Sequence, residues 1–198
     1  LDVAGSVKDH AAGLKITNEL FAICGKEGLK KFADFGLEIF LDLKTLDVPN
    51  TVKKTVASIA SLKTVKYLTV HTSGGYEMLK AAREAASHLE LLGVTVLTSQ
   101  SASKEQVKLL ANLAIKSGLG GVIASAQEYE SIRSLSKDLK IFCPGIRGEE
   151  DKKHDQKRVM SYANFSKIVD DKCFAVIGRP IIEGDPVQNI KKIIQSKK

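Results

Sequence analysis

The run Phe40-Leu41-Asp42-Leu43-Lys44-Thr45-Leu46-Asp47-Val48-Pro49-Asn50-Thr51 holds the residues best suited to chemistry. It begins as a buried strand and then changes character. Asp42 and Lys44 are two apart, so on a strand they point to one face. Asp47 falls just past the strand, before a helix that Pro49 suits as a first-turn residue. Lys15 holds the same kind of position on the preceding strand. Two carboxylates and two ammonium groups can therefore converge, each favouring the ionised form of its neighbours. A substrate carboxylate pressed against Asp42 would be repelled, and its departure as neutral CO₂ would relieve that repulsion in the transition state. Lys44 could then protonate the developing carbanion as a general acid. The same four charges would also serve as a structural salt-bridge network.

The elements that must position these groups are legible as an alternation. Short β-rich apolar runs recur at Leu14–Thr17, Leu37–Leu43, Tyr67–His71, Val94–Leu97, Gly121–Ala124, Lys140–Cys143 and Phe174–Ile177, with Leu1–Val3 as a possible truncated eighth. Between them, Glu19–Phe32, Thr51–Leu62, Met78–Leu89, Lys104–Ser117 and Pro186–Gln195 carry helical spacing. Asp185-Pro186 reads as an N-cap with an N1 proline, and Ser103 with Gln106 as a capping box. Strands alternating with helices of this length imply βαβ units and a parallel sheet. Seven or eight units favour a short (β/α)₈ barrel forming one domain over residues 1–198, with the charged cluster at the strand C-termini. No G-x-G-x-x-G or P-loop motif occurs. The polar stretch Gly145–Asp155 follows a strand and suits a lid or an ordinary solvated loop.

Composition narrows the classes. Thirty Lys+Arg against 23 Asp+Glu give a net charge of +7, which suits an anionic partner or simply a solubilised surface. Aromatics are 6% and Trp is absent, so a base-stacking platform, and with it nucleic acid, is disfavoured. No apolar run approaches a membrane span, and no signal peptide is visible. The chain begins at Leu1-Asp2 without Met, which leaves room for a missing upstream segment. Cys24, Cys143 and Cys173 are odd in number and lack metal-ligand spacing, which points to a reducing, cytoplasmic setting and to no zinc site. His71 follows a strand with no second ligand at metal spacing and reads as a structural or interface residue. His10, His88 and His154 read as surface residues.

Asp42-x-Lys44-x-x-Asp47-Val48-Pro49-Asn50-Thr51 resembles the signature of the orotidine 5′-phosphate decarboxylase family. The resemblance continues in order along nearly the whole chain, through Leu14-Lys15-Ile16, Val70-His71-Thr72-Ser73-Gly74-Gly75, Val96-Leu97-Thr98-Ser99 and Ala124-Ser125-Ala126-Gln127-Glu128. It ends with Pro144-Gly145-Ile146-Arg147, Asp155-Gln156-Lys157-Arg158 and Ile177-Gly178-Arg179-Pro180-Ile181. Any one tetrapeptide is weak evidence, whereas the ordered series is strong.

The resemblance implies a homodimeric barrel that converts orotidine 5′-monophosphate to UMP without metal or organic cofactor. Lys44 would then be the proton donor to pyrimidine C6, Asp42 would lie against the scissile carboxylate, and Lys15 would hold Asp42 and contact the ribose. Asp47, with Val48 and Thr51, would come from the other subunit, and Asn50 belongs to the same segment. Ser125 would bond the pyrimidine, with Thr98 and Pro144 nearby. Gln156, Gly178 and Arg179 would hold the phosphate, and Arg147 would support the lid. Barrels often bind phosphate in the loops after their last two strands, which agrees with that placement.

Asp2 resembles the family's first-strand Asp, which contacts a ribose hydroxyl. The stretch from Asp2 to Lys15 is shorter than the family's, and the expectation is that residues are absent there. The stretch from Thr98 to Ser125 is also short. Leu46 and Gly148 stand where many relatives carry His and Pro. Two other readings are a Mg²⁺-dependent sugar-phosphate barrel enzyme with a similar Asp-x-Lys-x-x-Asp core, and a non-catalytic basic nucleotide-binding barrel. The Pro49-Asn50-Thr51 continuation disfavours the first, and the intact charged set disfavours the second.

Overall fold

A computed structural model describes residues 1–148 and 157–195. Its main sheet has seven parallel strands: β1 (Gly13–Thr17), β2 (Glu38–Thr45), β3 (Val65–His71), β4 (Glu90–Val94), β5 (Gly121–Ile123), β6 (Lys140–Pro144) and β9 (Cys173–Val176), hydrogen-bonded in that order. A separate two-residue ladder joins β7 (Ile146–Arg147) to β8 (Met160–Ser161). The helices are α1 (Asp2–Val7), α2 (Asn18–Ala33), α3 (Pro49–Ala60), α4 (Gly75–Ala85), α5 (Lys104–Lys116), α6 (Tyr129–Arg133), α7 (Tyr162–Ile168), α8 (Arg179–Ile182) and α9 (Pro186–Gln195). Strand and helix alternate, so the sheet curls into a nearly closed barrel with helices outside, as the alternation predicts.

The helix starts follow from local chemistry. Pro49 opens α3 behind the extended Val48. The Asp185 carboxylate accepts the Val187 and Gln188 N–H groups at 3.0 and 3.1 Å, capping α9. Ser103 accepts the Gln106 N–H at 3.1 Å, capping α5.

Period-two alternation splits each strand between two cores. On β2, Ile39 and Leu41 face the helices with Leu68, Val70 and Met78, while Phe40 faces inward with Tyr67, Leu92 and Phe142. Phe142 lies edge-on to Phe40 at 5.5 Å and stacks on Phe174 at 4.8 Å. This aromatic layer lies in the barrel below the charged cluster. Lys15 pairs in register with Phe40 and Thr17 with Asp42, so Asp42 lies one inward step above the aromatic floor.

Two expectations need correction. Residues 2–7 form helix α1, which packs on α9, so Leu1–Val3 is not a strand. Only residues 4–12 would separate such a strand from β1, fewer than the ~10–12 a parallel crossover needs. A seam therefore lies between β9 and β1, lined by Leu14, Phe40, Phe174 and Ile190 around a cavity of about 570 Å³. The fourth strand runs at Glu90–Val94 rather than Val94–Leu97, and α4 ends at Ala85 rather than Leu89. Leu89, Leu91 and Leu92 continue a helical-looking pattern, but parallel pairing of Tyr67 through His71 with Glu90 through Val94 draws the segment into the sheet.

Candidate active site

The C-terminal ends of β1, β2 and β3 assemble the charged cluster. The Asp42 side chain is 8% exposed, and its Oδ2 accepts hydrogen bonds from Lys15 Nζ at 3.0 Å and Lys44 Nζ at 2.8 Å. Thr69 donates to Oδ1 at 3.0 Å. Burial pushes the Asp42 carboxyl up, but the Lys15 charge and the hydrogen bond and charge of Lys44 outweigh it and hold the group below its ordinary value. A buried carboxylate is thus kept ionised by two ammonium groups on one of its oxygens.

Lys15, Asp42 and Lys44 stand in the wall of a cavity of about 840 Å³ at the barrel mouth. Of the residues the sequence reading singles out, Lys15, Asp42, Lys44, Thr98, Pro144, Arg147, Gly178 and Arg179 line it. A Cβ on Gly178 would meet no atom within 4 Å, so the backbone beside Arg179 faces open space where an anion could approach. Arg147 is 7% exposed.

Other expected residues are placed differently. Asp2 is in α1, away from the lining residues of this cavity. Asp47, Val48, Asn50 and Thr51 are exposed at the start of α3 and do not line the cavity of their own chain. Asp47 accepts the Val48 N–H at 2.7 Å. Ser125 is buried behind Ala124, with its hydroxyl accepting the Gln127 N–H at 3.3 Å and reaching the Arg158 carbonyl at 3.5 Å. Gln156 and His154 lie outside the described residues. His71 sits 3.3 Å from Ser73 Oγ, and burial followed by the Lys44 charge lowers its pKa. Cys143 is buried with its Sγ 3.6 Å from Cys173 Sγ, both thiols free.

Sequence reasoning missed three contributors. Thr69 hides in an apolar strand, and its inward register was the available signal. Asn18, with its amide nitrogen turned to β2, donates to the Asp42 carbonyl at 2.9 Å and the Leu43 carbonyl at 3.2 Å. Arg158 pairs with Glu128 and donates to the Val96 and Leu97 carbonyls at 2.7 and 3.0 Å. Glu128 also closes a capping box with Ser125, a spacing readable in the chain.

The family model described as orotidine 5′-phosphate decarboxylase / HUMPS matches residues 1–193. This chain belongs to that family. It is 41% identical over 202 residues to the orotidine 5′-phosphate decarboxylase of Idiomarina loihiensis, covering 93% of this chain and 86% of the relative. It is 42% identical over 199 residues to the enzyme of the same name from Ehrlichia chaffeensis, covering 92% and 84%. The solved orotidine 5′-phosphate decarboxylase of Lactobacillus acidophilus superposes with a TM-score of 0.75 at 31% identity, over 92% of this chain and 85% of that one. The barrel and its family are therefore those the ordered motifs resemble. Among the described residues, no helix is long and apolar enough to cross a membrane, and no group of three His, Cys, Asp or Glu side chains could hold a metal ion.

Proposed function

We propose that this protein is a cytoplasmic carboxy-lyase that converts orotidine 5′-monophosphate to UMP and CO₂ in pyrimidine biosynthesis, acting as a homodimer of single barrel domains. The observation that carries the reading is the ionised, buried Asp42 with Lys15 and Lys44 on one oxygen. The substrate carboxylate on C6 is set against Asp42, and the repulsion is relieved as CO₂ leaves. The electron pair left on C6 takes a proton from Lys44, and the resulting amine is reprotonated from solvent. Lys15 keeps Asp42 charged and turned toward the cavity. No step calls on a metal ion or organic cofactor.

The phosphate lies across the cavity, where Arg179 offers a bidentate fork beside the open backbone of Gly178. Arg147 adds to that end, and Thr98 and Pro144 define the pyrimidine end, with Ser125 buried behind Ala124 in support. Binding energy from the phosphate is spent in holding C6 against the charged cluster. Asp47, Val48, Asn50 and Thr51 complete the site of the neighbouring subunit. Their exposure supports this, as do the exposed apolar side chains Leu46, Val48 and Tyr76, at 54%, 62% and 44%.

The test follows the absorbance of orotidine 5′-monophosphate with EDTA-treated protein and with Lys44→Ala. Turnover that survives EDTA and falls roughly 10²- to 10⁴-fold or more in the variant supports the reading. A folded dimer that ignores this substrate, yet turns over a sugar phosphate once Mg²⁺ is restored, overturns it.

A further inference from the structure

β2 does not run as a regular strand through the site. Its register against β3 passes from Leu41↔Leu68 to Thr45↔Val70, so four steps of β2 match two of β3. The surplus lies at residues 42–44, and Lys44 sits there with φ 50°. A bulge takes backbone groups off the ladder, and buried ones need other partners.

Two side chains supply them. Asn18 donates to the Asp42 and Leu43 carbonyls from the α2 side. Thr69, fully buried on β3, accepts the Lys44 N–H at 2.8 Å and donates to Asp42 Oδ1 at 3.0 Å. A hydroxyl has one hydrogen. With the Lys44 N–H on a lone pair, that hydrogen points at the carboxylate. Oδ2 is then left to the two ammonium groups. The β-branched side chain is stiff about χ1, so the Oγ1 position is preset by the strand.

We propose that Thr69 is a positioning residue of the decarboxylation, fixing through one hydroxyl both the carboxylate plane of Asp42 and the left-handed backbone of Lys44. This rests on the roles given above to Asp42 and Lys44. Thr69 is absent from the cavity lining and acts through its two partners. Asn18 holds only backbone carbonyls, so loss of the Thr69 hydroxyl frees the carboxylate to turn while the bulge keeps its other support.

The experiment compares Thr69→Val, Thr69→Ser and Lys44→Ala with wild type, each first checked for folding by circular dichroism and urea unfolding. Thr69→Val is near in shape and lacks the hydroxyl. Its kcat is expected to fall roughly 10- to 100-fold. Its KM should stay within about twofold, since the loss falls on the transition state. The acid limb of its kcat profile moves to higher pH, because the carboxylate has lost a donor. Thr69→Ser restores most of kcat and the limb. A merely structural threonine would lower the urea midpoint while leaving kcat and the acid limb of the folded enzyme in place. A folded Thr69→Val with wild-type kcat and acid limb overturns the proposal, as does Thr69→Ser failing alongside it. Should Thr69→Val not fold, Thr69→Cys, with only a weak donor, carries the same comparison. Activity retained by Lys44→Ala would instead overturn the underlying reading. A dead Lys44→Ala beside an unaltered Thr69→Val overturns the Thr69 proposal alone.

Discussion

Lys44 occupies a backbone conformation that side chains avoid. At φ 50° a residue with a Cβ sits about 1–2 kcal/mol above the right-handed region. Such strain persists where surroundings over-determine it, and it gathers at functional sites. Here the Thr69 hydroxyl and the Asn18 amide hold the segment, and Lys44 Nζ ends 2.8 Å from Asp42. The strain predicts a split between stability and activity. Both Lys44→Ala and Lys44→Gly remove the ammonium group and are expected to be inactive. Glycine accepts φ > 0 freely, so Lys44→Gly should be the more stable of the two by about 1 kcal/mol in urea unfolding. Equal midpoints would mean that the left-handed backbone carries no strain.

At the scale of elements, Arg158 joins two loops that face the cavity. Its guanidinium reaches the Glu128 carboxylate, the Val96 and Leu97 carbonyls, and the Gln100 carbonyl at 3.1 Å. Thr98 accepts the Lys157 N–H at 2.9 Å, so the 96–100 loop and the 157–158 backbone are tied twice. Glu128 also accepts the Ser125 N–H at 2.8 Å, which brings the start of the 126–128 turn into the same knot. Burial raises the Glu128 pKa and the Arg158 charge opposes it. Removing one member of such a pair strands the other. Arg158→Met should cost about 3–5 kcal/mol of stability, and a second change, Glu128→Leu, should recover much of it. A urea denaturation cycle checks both, and a loss under 1 kcal/mol in the single variant would mean that the pair is solvated.

For the whole molecule, the decisive question is where one active site ends. Each barrel presents Lys15, Asp42 and Lys44 inward and Asp47 outward. Leu46 lies against Gly74, two residues before the exposed Tyr76. A two-fold dimer would place each Asp47 at the neighbour's cavity, with the same surface used by both copies. Lys44→Ala and Asp47→Ala are each expected to be inactive alone. Hybrids formed by unfolding and refolding them together contain one intact site per heterodimer, so a 1:1 mixture should recover about a quarter of wild-type activity. Recovery of none, with heterodimers verified by mass, would place Asp47 in its own chain's chemistry.

The chain by itself determined the alternation of strand and helix, because apolar periodicity and capping residues act over a few positions. It also indicated which charged groups meet, since Asp42 and Lys44 are two apart in sequence. Contacts distant in sequence decided the rest. The inward side of Asp42 came from pairing with β1, the left-handed turn at Lys44 from Thr69 on β3, and the knot at Arg158 from three separate segments. The position of β4 was decided by the ladder with β3, which overrode the helical look of Leu89 to Leu92. Asp2 was placed in α1, which packs on α9 at the far end of the chain. Local sequence sets what a segment prefers. Hydrogen bonds that must be satisfied in a buried place come from whatever the fold brings alongside, and no local pattern records them.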